Sequence, residues 1–151
     1  MLGCPCLFVQ TKMRAMKTFK WIGAFVAGIV GGSIFMLLLH NVSGLIFPEA
    51  AMSKFPEDPE LIKAFMDSLG VGPKLAVVFS HWGGAMVGSA LSMMIAPTKK
   101  IWPGVVIGGW FLIGGIANAS MIPMPLWMMV LDLLGYIPVA YLAANWMQRI
   151  N

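Results

Sequence analysis

Charge is what this sequence has least of. Only 11% of its 151 residues are Asp, Glu, Lys or Arg, whereas 59% are hydrophobic, and the mean hydropathy is +0.83. A water-soluble domain of this length carries about 25% charged residues. Too few charges are present to clothe a water-facing surface, so the solvent must be mostly lipid. Cysteine is nearly absent: Cys4 and Cys6 are the only two, and two thiols cannot close a tetrahedral metal site. The net charge of +4 comes without a basic face interleaved with aromatics, which excludes a nucleic-acid footprint. No segments of alternating polarity occur, so a membrane β-barrel is excluded as well. The glycine-rich stretches lack the strand and GK[ST] of a phosphate cradle, and no nucleophile motif surrounds Ser80 or Ser120. These absences point away from an enzyme.

What is present is four apolar runs: Trp21 to Leu39, Leu75 to Ala96, Ile101 to Ile122 and Leu126 to Trp146. Each is close to the roughly 20 residues that carry a helix across about 30 Å of hydrocarbon. Backbone groups in lipid must find partners within their own segment, so runs like these are expected as helices. The first run follows Lys17 and Lys20 as a secretory signal would. It is read instead as an uncleaved helix, because its apolar core is long and no small-x-small cleavage site follows. Residues 1–16 read as a disordered leader or a mis-assigned start, with Met13 or Met16 as other possible starts, and residues 17–151 as a single domain.

Basic residues orient the runs. With the N-terminus inside, Lys12, Arg14, Lys17, Lys20, Lys99, Lys100 and Arg149 lie on the inner side, and Lys54, Lys63 and Lys74 on the outer side. That excess predicts a multi-pass inner-membrane protein with both termini cytoplasmic. Trp21, Trp102, Trp127 and Trp146 lie at run ends, where an indole keeps its N–H in the wet interface. The outer loop, residues 41–73, holds one further element. Asp58 caps a short helix, Pro59 opens it and Gly70 is expected to stop it. Leu61, Ile62, Phe65, Met66 and Leu69 form its apolar face. This helix is read as a packing element in preference to a lid. The expected fold is therefore all-α, an integral membrane four-helix bundle with a short amphipathic surface helix in the first outer loop.

Small residues recur at helical spacing. Gly28 and Gly32 lie in the first run, Gly84, Gly88 and Ser92 in the second, and Gly104, Gly108, Gly115 and Ala119 in the third. Such stripes let membrane helices approach closely. Beside them stand the polar residues. His81 shares a face with Gly84, Ala85 and Gly88, Asn118 with Phe111, Gly114 and Gly115, and Asp132 with Gly135, Tyr136 and Val139, so all three should point inward. At about 1.5 Å of rise per residue they lie about 6–10 Å below the outer ends of their helices. An ionisable group in hydrocarbon is costly and is retained where it is paired or used.

His81, Asn118, Asp132 and Tyr136 are the candidate site. A carboxylate with a neighbouring imidazole can share a proton, and such a pair titrates as a unit. Pro138 cannot donate to the carbonyl of Leu134, which offers a further acceptor. Three readings stay open. The cluster locks the helices together, or it binds a small lipophilic ligand or ion, or it serves a small proton-coupled transporter or channel-like oligomer. A redox or enzyme subunit holding quinone, or haem or metal on His40 and His81, is a weaker alternative. The partners expected are membrane lipid and a second copy or another membrane subunit, not nucleic acid.

The segments His81-Trp-Gly-Gly84, Ile116-Ala-Asn118-Ala-Ser-Met-Ile-Pro123 and Asp132-Leu-Leu-Gly-Tyr136-Ile-Pro138 resemble those of small four-helix bacterial inner-membrane proteins. The resemblance covers roughly the last half of the chain. It implies the same four-helix fold and no particular activity.

Overall fold

The structure, a computed structural model, describes residues 5–51, 54, 56 and 58–150. Among them are five α-helices: α1 (Pro5–Ile46), α2 (Pro59–Ser68), α3 (Val71–Ile95), α4 (Trp102–Met121) and α5 (Leu126–Ile150). A short 3-10 helix, Pro48–Ala50, follows α1. Four helices are long and apolar enough to cross a membrane, namely Met13–Ile46 within α1, and α3, α4 and α5.

α1 is longer than expected at both ends. Met1–Cys4, part of the expected leader, lie outside the described residues. The helix begins at Pro5, well ahead of the expected run start at Trp21. Pro5 suits a first helical position, and neither Gly nor Pro interrupts Leu7–Ile22, so nothing breaks propagation once a turn exists. At the other end the helix runs past His40 and Asn41 to Ile46. Both side chains fold back on their own helix: His40 Nδ1 lies 3.0 Å from the Met36 carbonyl oxygen, and Asn41 Nδ2 lies 2.8 Å from that of Leu37. Each side chain has one polar atom satisfied within the helix, and the loop that follows is shorter than expected.

α2 begins as expected, with the Asp58 carboxylate accepting from Glu60 N–H at 2.8 Å and Pro59 in the first turn. It ends differently. Leu69 caps it in extended backbone, and Gly70, also extended, is the N-cap of α3. Gly70 is therefore not a left-handed stop; it opens the next helix. Ile62 and Met66 are buried against Val78 and Met128, whereas Leu61 is exposed. Only part of the anticipated apolar face is used.

Glycine governs how the long helices meet. A methyl on Gly28 would stand 2.8 Å from the Gly88 carbonyl oxygen, and one on Gly32 would stand 2.6 Å from that of Gly84. The backbones of α1 and α3 are thus in direct contact, running antiparallel. Only residues without a Cβ allow this approach, at which dispersion and Cα–H···O contacts supply the attraction. Between α4 and α5, Gly104 faces Ala144 and Gly108 faces Ala140. Ser89 on α3 donates to the Gly104 carbonyl oxygen at 2.8 Å and ties α3 to α4. Larger apolar side chains point outward, including Val26, Val30 and Ile34 on α1, Val106, Trp110 and Ile113 on α4, and Leu134 and Leu142 on α5. At the end where α4 begins and α5 finishes, Trp21 stacks on Trp102 with ring centroids 4.7 Å apart, and Phe25 joins them.

Candidate functional site

The polar residues gather at the opposite end of the long helices, beside α2. His81 lies on the buried glycine face of α3, and Asp132 on the buried face of α5 that also carries Gly135 and Tyr136. His81 Nδ1 is 3.0 Å from each carboxylate oxygen of Asp132. An imidazole–carboxylate contact at this distance is among the stronger side-chain interactions. Tyr136 donates to Asp132 Oδ2 at 3.4 Å, a long bond that completes the second oxygen. The Trp82 indole donates to the Asp132 backbone carbonyl oxygen at 3.0 Å. Asp132 is therefore held at both its side chain and its backbone by consecutive residues of α3. Gly135 makes the second contact possible, because any Cβ there would overlap the Trp82 ring. Gly115 plays the same part for the Tyr136 ring, whose hydroxyl would lie 2.9 Å from an added Cβ.

His40 extends the cluster from α1. Its ring centroid is 5.2 Å from that of His81. A carbonyl can only accept, so the contact with the Met36 oxygen places the His40 proton on Nδ1 and leaves Nε2 with a lone pair when the ring is neutral. Both imidazoles thus have Nδ1 held by an oxygen, the arrangement that orients histidine ligands of metals. Among the described residues no group of three or more His, Cys, Asp or Glu side chains could hold a metal. A metal or haem iron on His40 and His81 would have to complete its coordination from elsewhere.

These groups line a cavity of about 690 Å³, within the size range of small-molecule sites. Its walls are mainly apolar, with Met36, Phe111, Met124 and Met128 among them, and α2 contributes Phe65 and Met66, followed by its C-cap Leu69. All four expected site residues, His81, Asn118, Asp132 and Tyr136, line it. Three of them are joined by hydrogen bonds. Asn118 is not: it is half-buried on the α4 wall, and its side chain bonds to none of the other three. The extra acceptor expected from Pro138 does not reach the cavity either. Pro138 and Leu134 both lie on the exposed face of α5 and neither lines the space.

Trp82 and Lys74 were not read as site residues from sequence, and His40 only as an alternative haem or metal ligand with His81. Trp82 was legible only as part of His81-Trp-Gly-Gly84. His40 was placed at the water-side end of its helix. Lys74 counted as an outer-loop charge, yet it lies in the first turn of α3, 8% exposed, on the cavity wall. A lysine directly before an apolar run is ordinarily an interfacial anchor. Only the fold shows that it turns inward.

Searches of protein-family models, curated proteins and solved structures find no match to this chain. What the site does must be argued from its chemistry.

Proposed function

We propose that this is a multi-pass membrane protein that binds a small lipophilic ligand in the cavity beside α2. The four long helices form a bundle across a bacterial inner membrane, with both termini cytoplasmic and α2 on the outer surface as a roof. Outward-facing Val, Ile and Leu over an interior of Gly, Ala and Ser support a lipid surround, since water would favour the reverse. The excess of basic residues at the terminal end supports the orientation. The observation that carries the ligand reading is the cavity itself: a mainly apolar space into which an ion pair and other polar side chains converge. Binding sites for small molecules combine those two properties.

A second reading has its own support. Both carboxylate oxygens and the backbone carbonyl of Asp132 are engaged within the protein, as they would be if the cluster served to lock α3 to α5. The two are separated by filling the space and leaving the pair intact. Gly114 lines the cavity, and a Cβ there meets nothing within 4 Å, so Gly114→Phe can enter it without a backbone clash. Native mass spectrometry from mild detergent is expected to show a co-purifying small molecule on the wild type and none on Gly114→Phe. A wild type that emerges bare, or a ligand that survives the filled cavity, refutes the ligand reading and leaves the lock.

A further inference from the structure

Lys74 is the unexplained group in this cavity. It is the fourth residue of α3 and more than nine-tenths buried. An ammonium carries three N–H donors and no acceptor, and burying it without a counter-charge costs several kcal/mol in the general case. Among the described residues the one ion pair is His81–Asp132. The Asp132 oxygens already serve His81 and Tyr136, and Glu49, Glu60 and Asp67 around α2 are exposed. Among the described residues Lys74 therefore lines the cavity without an anion of its own. The first turn of α3, which carries it, adds the partial positive charge of a helix N-terminus, and the Gly70 N-cap offers no side chain to those N–H groups. Asn118, across the space, has an amide with no side-chain hydrogen bond among the described residues.

The shape of the cavity adds a second observation. α1 and α4 touch where Gly28 meets Ile107 and Gly32 meets Phe111. Beyond Phe111 the α4 wall is Gly114, open for at least 4 Å, and Asn118. Leu37 and Trp110 both line the cavity and are exposed, at 48% and 55%. The space thus opens sideways between α1 and α4, on a face that meets acyl chains if the helices cross a membrane.

Resting on the ligand-binding reading above, we infer that the occupant is an amphiphile with an oxyanion head, a carboxylate or a phosphate. Lys74 is its counter-ion and Asn118 a second donor, and its apolar tail leaves through the gap between α1 and α4. The anion supplies the charge that Lys74 lacks, and the tail covers surface that only lipid would otherwise cover.

The test uses the full chain in mild non-ionic detergent with four probes: oleate, dioleoyl phosphatidate, the neutral oleyl alcohol, and inorganic phosphate alone. Wild type, Lys74→Gln and Lys74→Arg are compared by native mass spectrometry, each first shown to be folded by its thermal transition. At least one anionic amphiphile should bind the wild type about tenfold or more tighter than oleyl alcohol, the effect of one charge-assisted contact. Lys74→Gln should lose that preference and Lys74→Arg should keep it. Preference for oleate identifies a fatty-acid source, and preference for phosphatidate a lipid headgroup. Retention of the preference by Lys74→Gln overturns the inference, as does phosphate alone binding as well as phosphatidate. Equal binding of oleyl alcohol and both anions by the wild type overturns it while leaving the ligand reading standing. A wild type that binds no amphiphile removes both.

Discussion

Replacing Gly135 by alanine tests whether α3 and α5 are as close as described. The added methyl would coincide with the five-membered side of the Trp82 indole. That ring has little freedom to move aside. Its Nε1 donates to the Asp132 carbonyl oxygen at 3.0 Å, and Phe79 meets it edge-on with centroids 5.7 Å apart. Forcing an extra carbon into a packed contact costs about 1–3 kcal/mol. Losing the indole hydrogen bond adds about 1 kcal/mol. Alanine recovers about 1 kcal/mol through its better helix propensity. The balance is a loss of about 1–3 kcal/mol, read as a lower midpoint of thermal unfolding in detergent. Gly109→Ala and Gly114→Ala are the internal controls, since a Cβ at either meets nothing within 4 Å and the propensity gain acts alone. If Gly135→Ala unfolds alongside these controls, the interlock of Trp82 with α5 is wrong, and with it the placement of Asp132.

Three further outcomes are expected. Asp132→Ala and His81→Ala should each destabilise, and the double variant should cost less than their sum by about 1–3 kcal/mol, because the two side chains answer each other at 3.0 Å; additive losses would mean that they do not interact. Lys74→Met should raise the unfolding midpoint of ligand-free protein, since it removes a charge that has no ionic partner among the described residues and keeps the volume, and a lowered midpoint would reveal a partner within the protein. Ser89→Ala should lower stability by about 0.6 kcal/mol, an ordinary value for an interhelical hydrogen bond in membrane helices, and an unchanged unfolding midpoint would show that the contact with Gly104 contributes nothing.

The periodicity of small and polar residues made much of this legible. Gly28 and Gly32, Gly84 and Gly88, and Gly104 and Gly108 could be read as contact stripes because a helix repeats its faces every three to four residues. His81 and Asp132 could be placed at one depth by counting rise from their helix ends. Other features depend on tertiary contacts that no local pattern carries. Nothing near Leu69 shows that Gly70 starts a helix instead of ending one. Whether Lys74 turns inward depends on the width of the space between α3 and its neighbours. Asn118 shares the depth of His81, but sharing a depth does not imply sharing a bond, and its amide faces the cavity from another wall. His40 ends the expected first run, yet the helix continues past it to Ile46 with the ring bonded to its own helix, an option equally open to any helical histidine.

The glycine–alanine seam beneath the cavity carries a consequence for traffic. Below His81 the backbones of α1 and α3 lie against each other at Gly28 and Gly88, and α4 meets α5 at Gly104 and Ala144. A cargo in the pocket is therefore in a cul-de-sac, and it must depart through the doorway by which it arrived unless the seam itself parts. If the helices cross a membrane and the cavity takes a ligand, as proposed, such a chamber suits holding, sensing or handing over that ligand on one side more than passing it across.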